Sequence, residues 1–391
     1  MNKIFTTILL ILFSISLFSQ MTTYNFKFEG KDRAFNVYLP SSYAEKKAAL
    51  PVVFFLHGMG GDMSNFSGLS YKAEAENYIM VIPQAMNNPK TGKSWSAGAI
   101  TIKGDTYFPN ANINDVGFIS SLLDTVSAWY NVNNEKVYVA GFSLGGFMTN
   151  KLACELGDRI TAIASVSGTM SKKLMSQCTP SEPIPSLQIH STNDGMVSYK
   201  ASFTNLGAEE LSQFWIKNNL ANKTIDTLNL SKNVNDGFSA IKFTYKGKTK
   251  SNEVVLYRLA GPDHNQSWYT VSSKNDFDAI NVIWDFFKEH NKNFKQKNQI
   301  KEVVISNNIH EVKIDVFPNP ATDLISLNFA NKIKLSSVSI TNTLGKTIHK
   351  QFFEKAIDEV SFDVRNEFQG IYFFQIEDES GNKTVVRFYK K

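Results

Sequence analysis

The chain has 391 residues, 42% hydrophobic and 20% charged, and its 41 basic and 36 acidic side chains leave a formal charge of +5. This apolar content supports a packed core and excludes a disordered chain, and the length suggests roughly two or three domains. The basic excess gathers into no run, which argues against a nucleic-acid partner, and two cysteines exclude a disulfide-rich scaffold and a four-cysteine zinc site.

At the N-terminus, Lys3 precedes an apolar run from Ile4 to Phe18 that Ser19-Gln20 closes. The pattern predicts a secretory signal peptide over residues 1–20, shorter than a typical spanning helix. No later run approaches spanning length, so the expectation is an exported protein with no stable membrane span. An oxidising compartment favours one disulfide between Cys154 and Cys178 over two free thiols.

Two alternating stretches from Tyr24 to Leu39 flank Gly30-Lys31, a hairpin signal. Pro51 to Leu56 and Tyr78 to Pro83 read as buried strands. Val116, Ile119, Leu122, Leu123, Val126 and Trp129 recur at helical spacing behind Asn114 or Asp115 as N-cap. A strand from Val137 to Ala140 leads into a helix through Leu156. Strands at Ile160 to Val166 and Pro185 to Ile189, a helix around Leu211 to Ile216 and a last strand at Val254 to Leu259 continue the alternation. A helix from about Asp276 to His290 turns Phe277, Ile280, Ile283, Trp284 and Phe287 inward. Such alternation predicts an α/β domain over 21–290 with a mostly parallel sheet covered on both faces. Residues 291–311, rich in Asn, Lys and Gln, read as a linker. From 312 to 391 only short alternating strands follow, which predicts a small all-β, Ig-like sandwich.

The strongest motif is Gly141-Phe142-Ser143-Leu144-Gly145, placed between a predicted strand and a predicted helix. A serine on so tight a turn needs small residues two positions to either side, because larger ones collide with the adjoining strand and helix. The turn lifts the hydroxyl above the sheet and aims the next helix at a developing oxyanion. The base must come from His57, His190, His264, His290, His310 or His349. His290 ends a helix, and His310 and His349 fall in the linker and C-terminal domain. His190 lies within a strand, and His57 ends the first central strand. His264 follows the last strand in a loop and is the candidate base. Asp194, after the Pro185 to Ile189 strand, is the candidate acid; Asp263 is the rival, although adjacent side chains diverge. Ser143, His264 and Asp194 thus form a candidate nucleophile, proton carrier and orienting acid. The backbone N–H of Leu144 and that of Met59 are the candidate oxyanion donors, with Gly58 as alternative to Met59. His57-Gly58-Met59-Gly60-Gly61 is the loop that would carry the second donor.

Residues 24 to 290 resemble the secreted α/β-hydrolase esterases of the polyhydroxybutyrate depolymerase and feruloyl esterase type, carbohydrate esterase family 1. The resemblance rests on Pro51 to Gly61, Asp115 to Phe118, Gly141 to Leu156, Ile189 to Tyr199 and Ala279 to Phe287. It places Ser143, Asp194 and His264 on that family's triad and Cys154 with Cys178 on its common disulfide. One departure stands out. Family members often carry three glycines, the histidine, one residue and Trp-Pro, whereas here Pro262-Asp263 precede His264 and Trp268 follows without a proline. Residues 312 to 391, with Val316-Phe317-Pro318-Asn319-Pro320-Ala321-Thr322-Asp323 and Gly370-Ile371-Tyr372, resemble the type IX secretion sorting domain. That resemblance implies export across the outer membrane through the type IX machinery, to the cell surface or beyond.

The segment from Asn87 to Asn112 is long for a connection and marks a functional loop, with Trp95, Tyr107 and Phe108 able either to stack on a substrate or to pack locally. His57, Gly58, Trp95 and Trp268 are the candidate substrate contacts. No His-Glu-x-x-His or acidic calcium loop is present, so neither metal nor cofactor is expected. The expected activity is serine-dependent hydrolysis of carboxylic esters, with acetyl or feruloyl esters of polysaccharides ranked above polyhydroxybutyrate. A non-catalytic carbohydrate-binding relative is the alternative from another class.

Overall fold

A computed structural model describes residues 21–43, 48–222, 225–230, 238–264, 277–292, 314–319, 321–342, 347–367, 370–381 and 383–390. The predicted signal peptide and almost all of the predicted linker lie outside the described residues. The chain forms two compact units.

The first unit opens with the antiparallel pair β1 (Met21–Phe28) and β2 (Lys31–Tyr38), turning at Glu29-Gly30 as the hairpin signal predicts. There follow β3 (Leu50–Leu56), α1 (Ser70–Glu76), β4 (Ile79–Pro83) and two short hairpins, β5 (Asn87–Asn88) with β6 (Gly92–Lys93) and β7 (Ile100–Ile102) with β8 (Asp105–Tyr107). Next come α2 (Asp115–Trp129), which groups with the second unit from Ser121 onward, then β9 (Val132–Phe142), α3 (Leu144–Glu155), β10 (Ala162–Val166), α4 (Lys172–Gln177), β11 (Ser186–Ser191) and α5 (Ala208–Asn218). The unit ends with β12 (Ile225–Asn229), β13 (Ser239–Tyr245), β14 (Val254–Ala260) and α6 (Ala279–Lys288).

These strands build a 10-stranded sheet in the order β1-β2-β4-β3-β9-β10-β11-β14-β13-β12. Its middle, β4 to β14, is parallel, and an antiparallel pair extends each side. The middle strands are almost wholly apolar because both of their faces are covered, as in other buried parallel sheets. This is the α/β-hydrolase arrangement that the resemblance implies. Two strands of this sheet escaped the sequence reading, β12 and β13, as did the short hairpins β5–β6 and β7–β8 outside it. Every residue of β12 is exposed, so no burial pattern betrays it.

The order of the strands also fixes where a site can form. From β3 the chain moves to β4 on one side, then returns to place β9 on the other side of β3. At such a reversal the loops leaving the carboxyl ends of two neighbouring strands splay apart and leave a crevice. The loop after β3 begins at His57, and the turn after β9 carries Ser143. Leu56 sits opposite Gly141 in the β3–β9 register, so the two loops emerge side by side.

The second unit holds two antiparallel sheets. One contains β15 (Ile314–Phe317), β16 (Leu324–Ile333) and β19 (Ile357–Asp363); the other contains β17 (Leu335–Asn342), β18 (Thr347–Phe352), β20 (Gly370–Asp378) and β21 (Lys383–Lys390). Alternate residues such as Ile325, Leu327, Val338, Ile340, Phe362 and Phe374 share one core, which makes it the expected sandwich. No helix among the described residues is long and apolar enough to cross a membrane.

Cys154, near the end of α3, and Cys178, which caps α4, form a disulfide with 5.1 Å between their Cα atoms. No free thiol should titrate in denaturant without reductant, and reduction should lower the unfolding free energy by roughly 3 kcal/mol. Recovery of two thiols from the unreduced protein would contradict the bridge.

Candidate active site

Ser143 stands on the turn between β9 and α3 at φ 54° and ψ −121°, a backbone region that side chains rarely occupy. Hydrogen bonds hold it there: its N–H donates to the Val166 carbonyl at 2.8 Å, and its carbonyl accepts from Gly146 at 2.8 Å. The two flanking glycines are required by contact rather than by dihedral angle. A Cβ at Gly141 would overlap the Gly145 carbonyl, and one at Gly145 would overlap the Leu56 carbonyl and lie 2.8 Å from that of His57. α3 therefore starts directly against the end of β3.

The structure brings Ser143, His264 and Asp194 together. Ser143 Oγ lies 3.0 Å from His264 Nε2, and His264 Nδ1 lies 2.7 Å from Asp194 Oδ2. The Phe142 ring packs on the imidazole with centroids 5.1 Å apart. Asp194 Oδ1 accepts from the backbone N–H groups of Met196 at 2.9 Å and Val197 at 2.8 Å. Burial works against its charge, but hydrogen bonding from His190 and His264 outweighs burial and holds the carboxyl well below the usual carboxylate range. An ionised Asp194 fixes a proton on Nδ1 and leaves Nε2 to accept from the serine hydroxyl. His190 is fully buried: Nε2 is 2.9 Å from the Val197 carbonyl and Nδ1 is 3.1 Å from Gln188 Nε2.

Asp263, the rival acid, points elsewhere. Its Oδ1 accepts from Gly195 N–H at 2.8 Å and from His264 N–H at 2.7 Å, and these bonds pull its carboxyl below the ordinary value. Ser191 Oγ adds a bond to the Pro262 carbonyl at 2.5 Å, and Gly261 N–H donates to Asn193 Oδ1 at 3.0 Å. The loop bearing the base is thus stitched to the loop bearing the acid. This fixes the Asp194–His264 separation although the two residues are 70 positions apart.

In the loop after β3, Gly60 N–H donates to the Lys93 carbonyl at 2.9 Å and Gly61 N–H to the Gly58 carbonyl at 3.1 Å. Neither amide is available to a ligand, which leaves those of Gly58 and Met59. Gly58 lies so close to the nucleophile that a Cβ there would be 3.2 Å from Ser143 Cβ. Leu144 opens α3 at the positive end of the helix dipole.

Two expected substrate contacts turn out to be scaffold. His57 is fully buried, with Nδ1 2.8 Å from the Gly58 carbonyl and Nε2 accepting from Ala85 N–H at 3.1 Å. Trp95 is fully buried too; its indole N–H donates to the His57 carbonyl at 2.8 Å and its ring packs on the imidazole. Both ring nitrogens of His57 and the indole N–H of Trp95 are therefore taken up by protein partners, Gly58, Ala85 and the His57 carbonyl. Gly58 remains beside Ser143, Phe108 is exposed, and Trp268 lies outside the described residues.

Sequence reasoning missed the support beneath this loop. Arg33 and Asp115 form a buried ion pair at 2.7 Å, and Asp115 Oδ2 accepts from Ser96 N–H at 2.7 Å. Lys151 Nζ donates to the Ser96 carbonyl at 2.7 Å, so the residue after Trp95 is held from both sides. Arg33 also lies over the Phe118 ring at 3.5 Å. The Asp115 to Phe118 stretch of the resemblance was one available signal; nothing in the sequence marked Arg33. Among the described residues no group of three or more His, Cys, Asp or Glu is arranged to hold a metal ion.

A sheet of this order, with a serine on the turn after its fifth-placed strand, defines an α/β-hydrolase. The chain belongs to the Esterase family, whose profile matches residues 28–236, and it is a carboxylic ester hydrolase. Ser143 and Asp194 fall inside that match, while His264 lies beyond it. Residues 315–391 match the secretion system C-terminal sorting domain. Feruloyl esterase D of Neurospora crassa is 26% identical over 264 residues, 67% of this chain and 83% of that enzyme. Feruloyl esterase B of Piromyces equi is 27% identical over 197 residues, 47% of this chain but 35% of that longer protein. Among solved structures, acetyl xylan esterase from Aspergillus awamori has a TM-score of 0.47 at 15% identity and covers 68% of this chain and 99% of its own.

Burial pushes the His57 imidazole down from its ordinary 6.5 to about 4. The unfolded chain takes up this proton as pH falls below 6.5, and the folded chain does so only near 4. Stability should therefore fall with pH across that window, by on the order of 3 kcal/mol from this group. The His57 ring resonances should move near pH 4 in an NMR titration; movement near 6.5 would place the ring in solvent.

Proposed function

We propose that the protein cleaves acetyl or feruloyl esters of polysaccharides with Ser143 as nucleophile, His264 as general base and acid, and Asp194 as the orienting carboxylate. The observation that carries this reading is the hydrogen-bonded chain from Ser143 through His264 to Asp194 on the strained turn after β9. Ser143 Oγ attacks the ester carbonyl while its proton passes to His264 Nε2. The negative charge that develops on the carbonyl oxygen meets the N–H groups of Leu144 and Met59, the proposed oxyanion donors. His264 then protonates the departing alcohol, and water, deprotonated by the same imidazole, releases the acid and restores the serine.

The substrate class draws support from the relatives named for feruloyl esters, and export is consistent with a polymer too large to enter a cell. In this proposal residues 1–20 direct passage across the inner membrane, and the C-terminal domain engages the type IX machinery for passage across the outer one.

Ser143→Ala should leave the melting temperature nearly unchanged and lower hydrolysis of nitrophenyl acetate by about 10⁴-fold or more. A Ser143→Ala protein with parent-like turnover would remove the nucleophile assignment. Release of ferulate from methyl ferulate or acetate from acetylated xylan should exceed clearing of a polyhydroxybutyrate suspension; the opposite ranking would assign the enzyme to polyesters. Deleting residues 312–391 should retain esterase activity and leave the protein in the periplasm. Normal secretion of the truncated chain would contradict the sorting role.

A further inference from the structure

Beside Asp194 lies a cavity of about 490 Å³. It is bounded by the acid loop from Asp194 to Lys200, the β7–β8 hairpin and residues 202–205, and it is lined by Thr101, Ser198, Ser202 and Asn205 with Lys103 and Lys200. Neither lysine is salt-bridged to a carboxylate among the described residues. Asp263, which reaches this wall through Gly195, is already engaged by two backbone N–H groups. A second cavity, of about 310 Å³, lies against the same loop and shares Asp194 and Lys200 with the first; its own Arg258 and Glu209 are 3.8 Å apart, and Tyr199 O–H donates to Glu209 at 3.1 Å. The larger cavity sets two lysines against the one carboxylate of Asp194, which is itself hydrogen-bonded to His264.

Its walls are tied in place. Lys103 and Gly104 form the two-residue tip of the hairpin with φ of 51° and 85°. A glycine or asparagine suits the first of these positions better than a lysine. Lys103 N–H donates to the Met196 carbonyl at 2.9 Å, and Asn205 Nδ2 donates to the Thr101 carbonyl at 3.1 Å. Phe203, between the lining residues Ser202 and Asn205, is 95% exposed. Hydroxyl and amide groups suit the hydroxyls of a pyranose ring, two ammonium groups suit a carboxylate on it, and an exposed aromatic ring at the rim suits the apolar face of a neighbouring sugar.

We propose that this cavity is a subsite for a uronic-acid residue of the polysaccharide that carries the ester, a reading that rests on the esterase function proposed above. Asp194 borders the cavity and bonds His264, which in turn bonds Ser143, so a glycan seated here lies on the Asp194 side of the triad. Lys103 and Lys200 meet the carboxylate, and Phe203 supports a ring. The enzyme thereby selects ester groups on acidic stretches of a polymer over those on neutral ones.

Binding is measured by calorimetry on the Ser143→Ala protein, which removes turnover. The probes are a xylo-oligosaccharide bearing one glucuronic acid and the neutral oligosaccharide of equal length. The acidic probe should bind about tenfold tighter at low salt, the scale of two partly screened charge pairs. That margin should vanish in a Ser143→Ala, Lys103→Gln, Lys200→Gln protein and shrink as salt is raised. Phe203→Ala should weaken both probes alike. Equal affinities in the Ser143→Ala protein, or a margin that survives both lysine substitutions, would overturn the subsite. Nitrophenyl acetate turnover by the parent enzyme is read separately. Its absence would defeat the esterase mechanism while a preference for the acidic probe still upheld the subsite; normal turnover without that preference would do the reverse.

Discussion

One backbone contact governs the rest of this site: the first turn of α3 rests directly on the carbonyls that end β3. Only glycine at 145 allows that approach, and only glycine at 141 allows the strand to pass under the turn. A methyl group at either place would force strand and helix apart, and well-packed interiors resist such displacement. The same contact puts the loop from His57 to Gly61 beside Ser143. The positions of Ser143 and of the proposed oxyanion donors are thus set by one sheet register rather than by two loops finding each other.

Around that contact the protein concentrates its buried polar groups. His57 is kept uncharged by burial over most of the accessible pH range. Arg33 and Asp115 are both out of water; burial disfavours the charge on each, and their pairing offsets part of that penalty. Such a pair adds little to stability on balance, yet its geometry is demanding, because either partner left alone would be a buried charge. Here that demand fixes Ser96, hence Trp95, hence the His57 carbonyl. On the other side of Ser143, hydrogen bonds between residues 191–195 and 261–264 do the equivalent work for base and acid. Ser143 therefore stands between two braced loops.

In the proposed mechanism, chemistry and selectivity reside in different parts of this surface. The Ser143, His264 and Asp194 arrangement would serve any ester, so discrimination must come from what flanks it. The flanking elements are the β7–β8 hairpin and the acid loop, both irregular segments carried on a rigid sheet. Their side chains can change without disturbing the contacts that hold the nucleophile.

The amino-acid sequence by itself determined the alternation of strands and helices, the turn at Ser143, the sandwich after residue 312 and the small set of histidines and acids from which a site could be drawn. Those features are local: apolar runs, a glycine spacing, the order of residues along the chain. Tertiary structure alone decided which of them meet. His57 and Trp95 look from sequence like ligand contacts, since a histidine before glycines and a tryptophan in a long loop belong to exposed segments. Folding buries both, because the Arg33–Asp115 pair draws the 94–97 segment inward, and that pair joins residues 82 positions apart. Strand β12 was invisible because a strand exposed along its whole length has no burial period to display. The two lysines of the polar cavity come from segments about a hundred residues apart, and only the packing of a hairpin tip against the acid loop makes them neighbours.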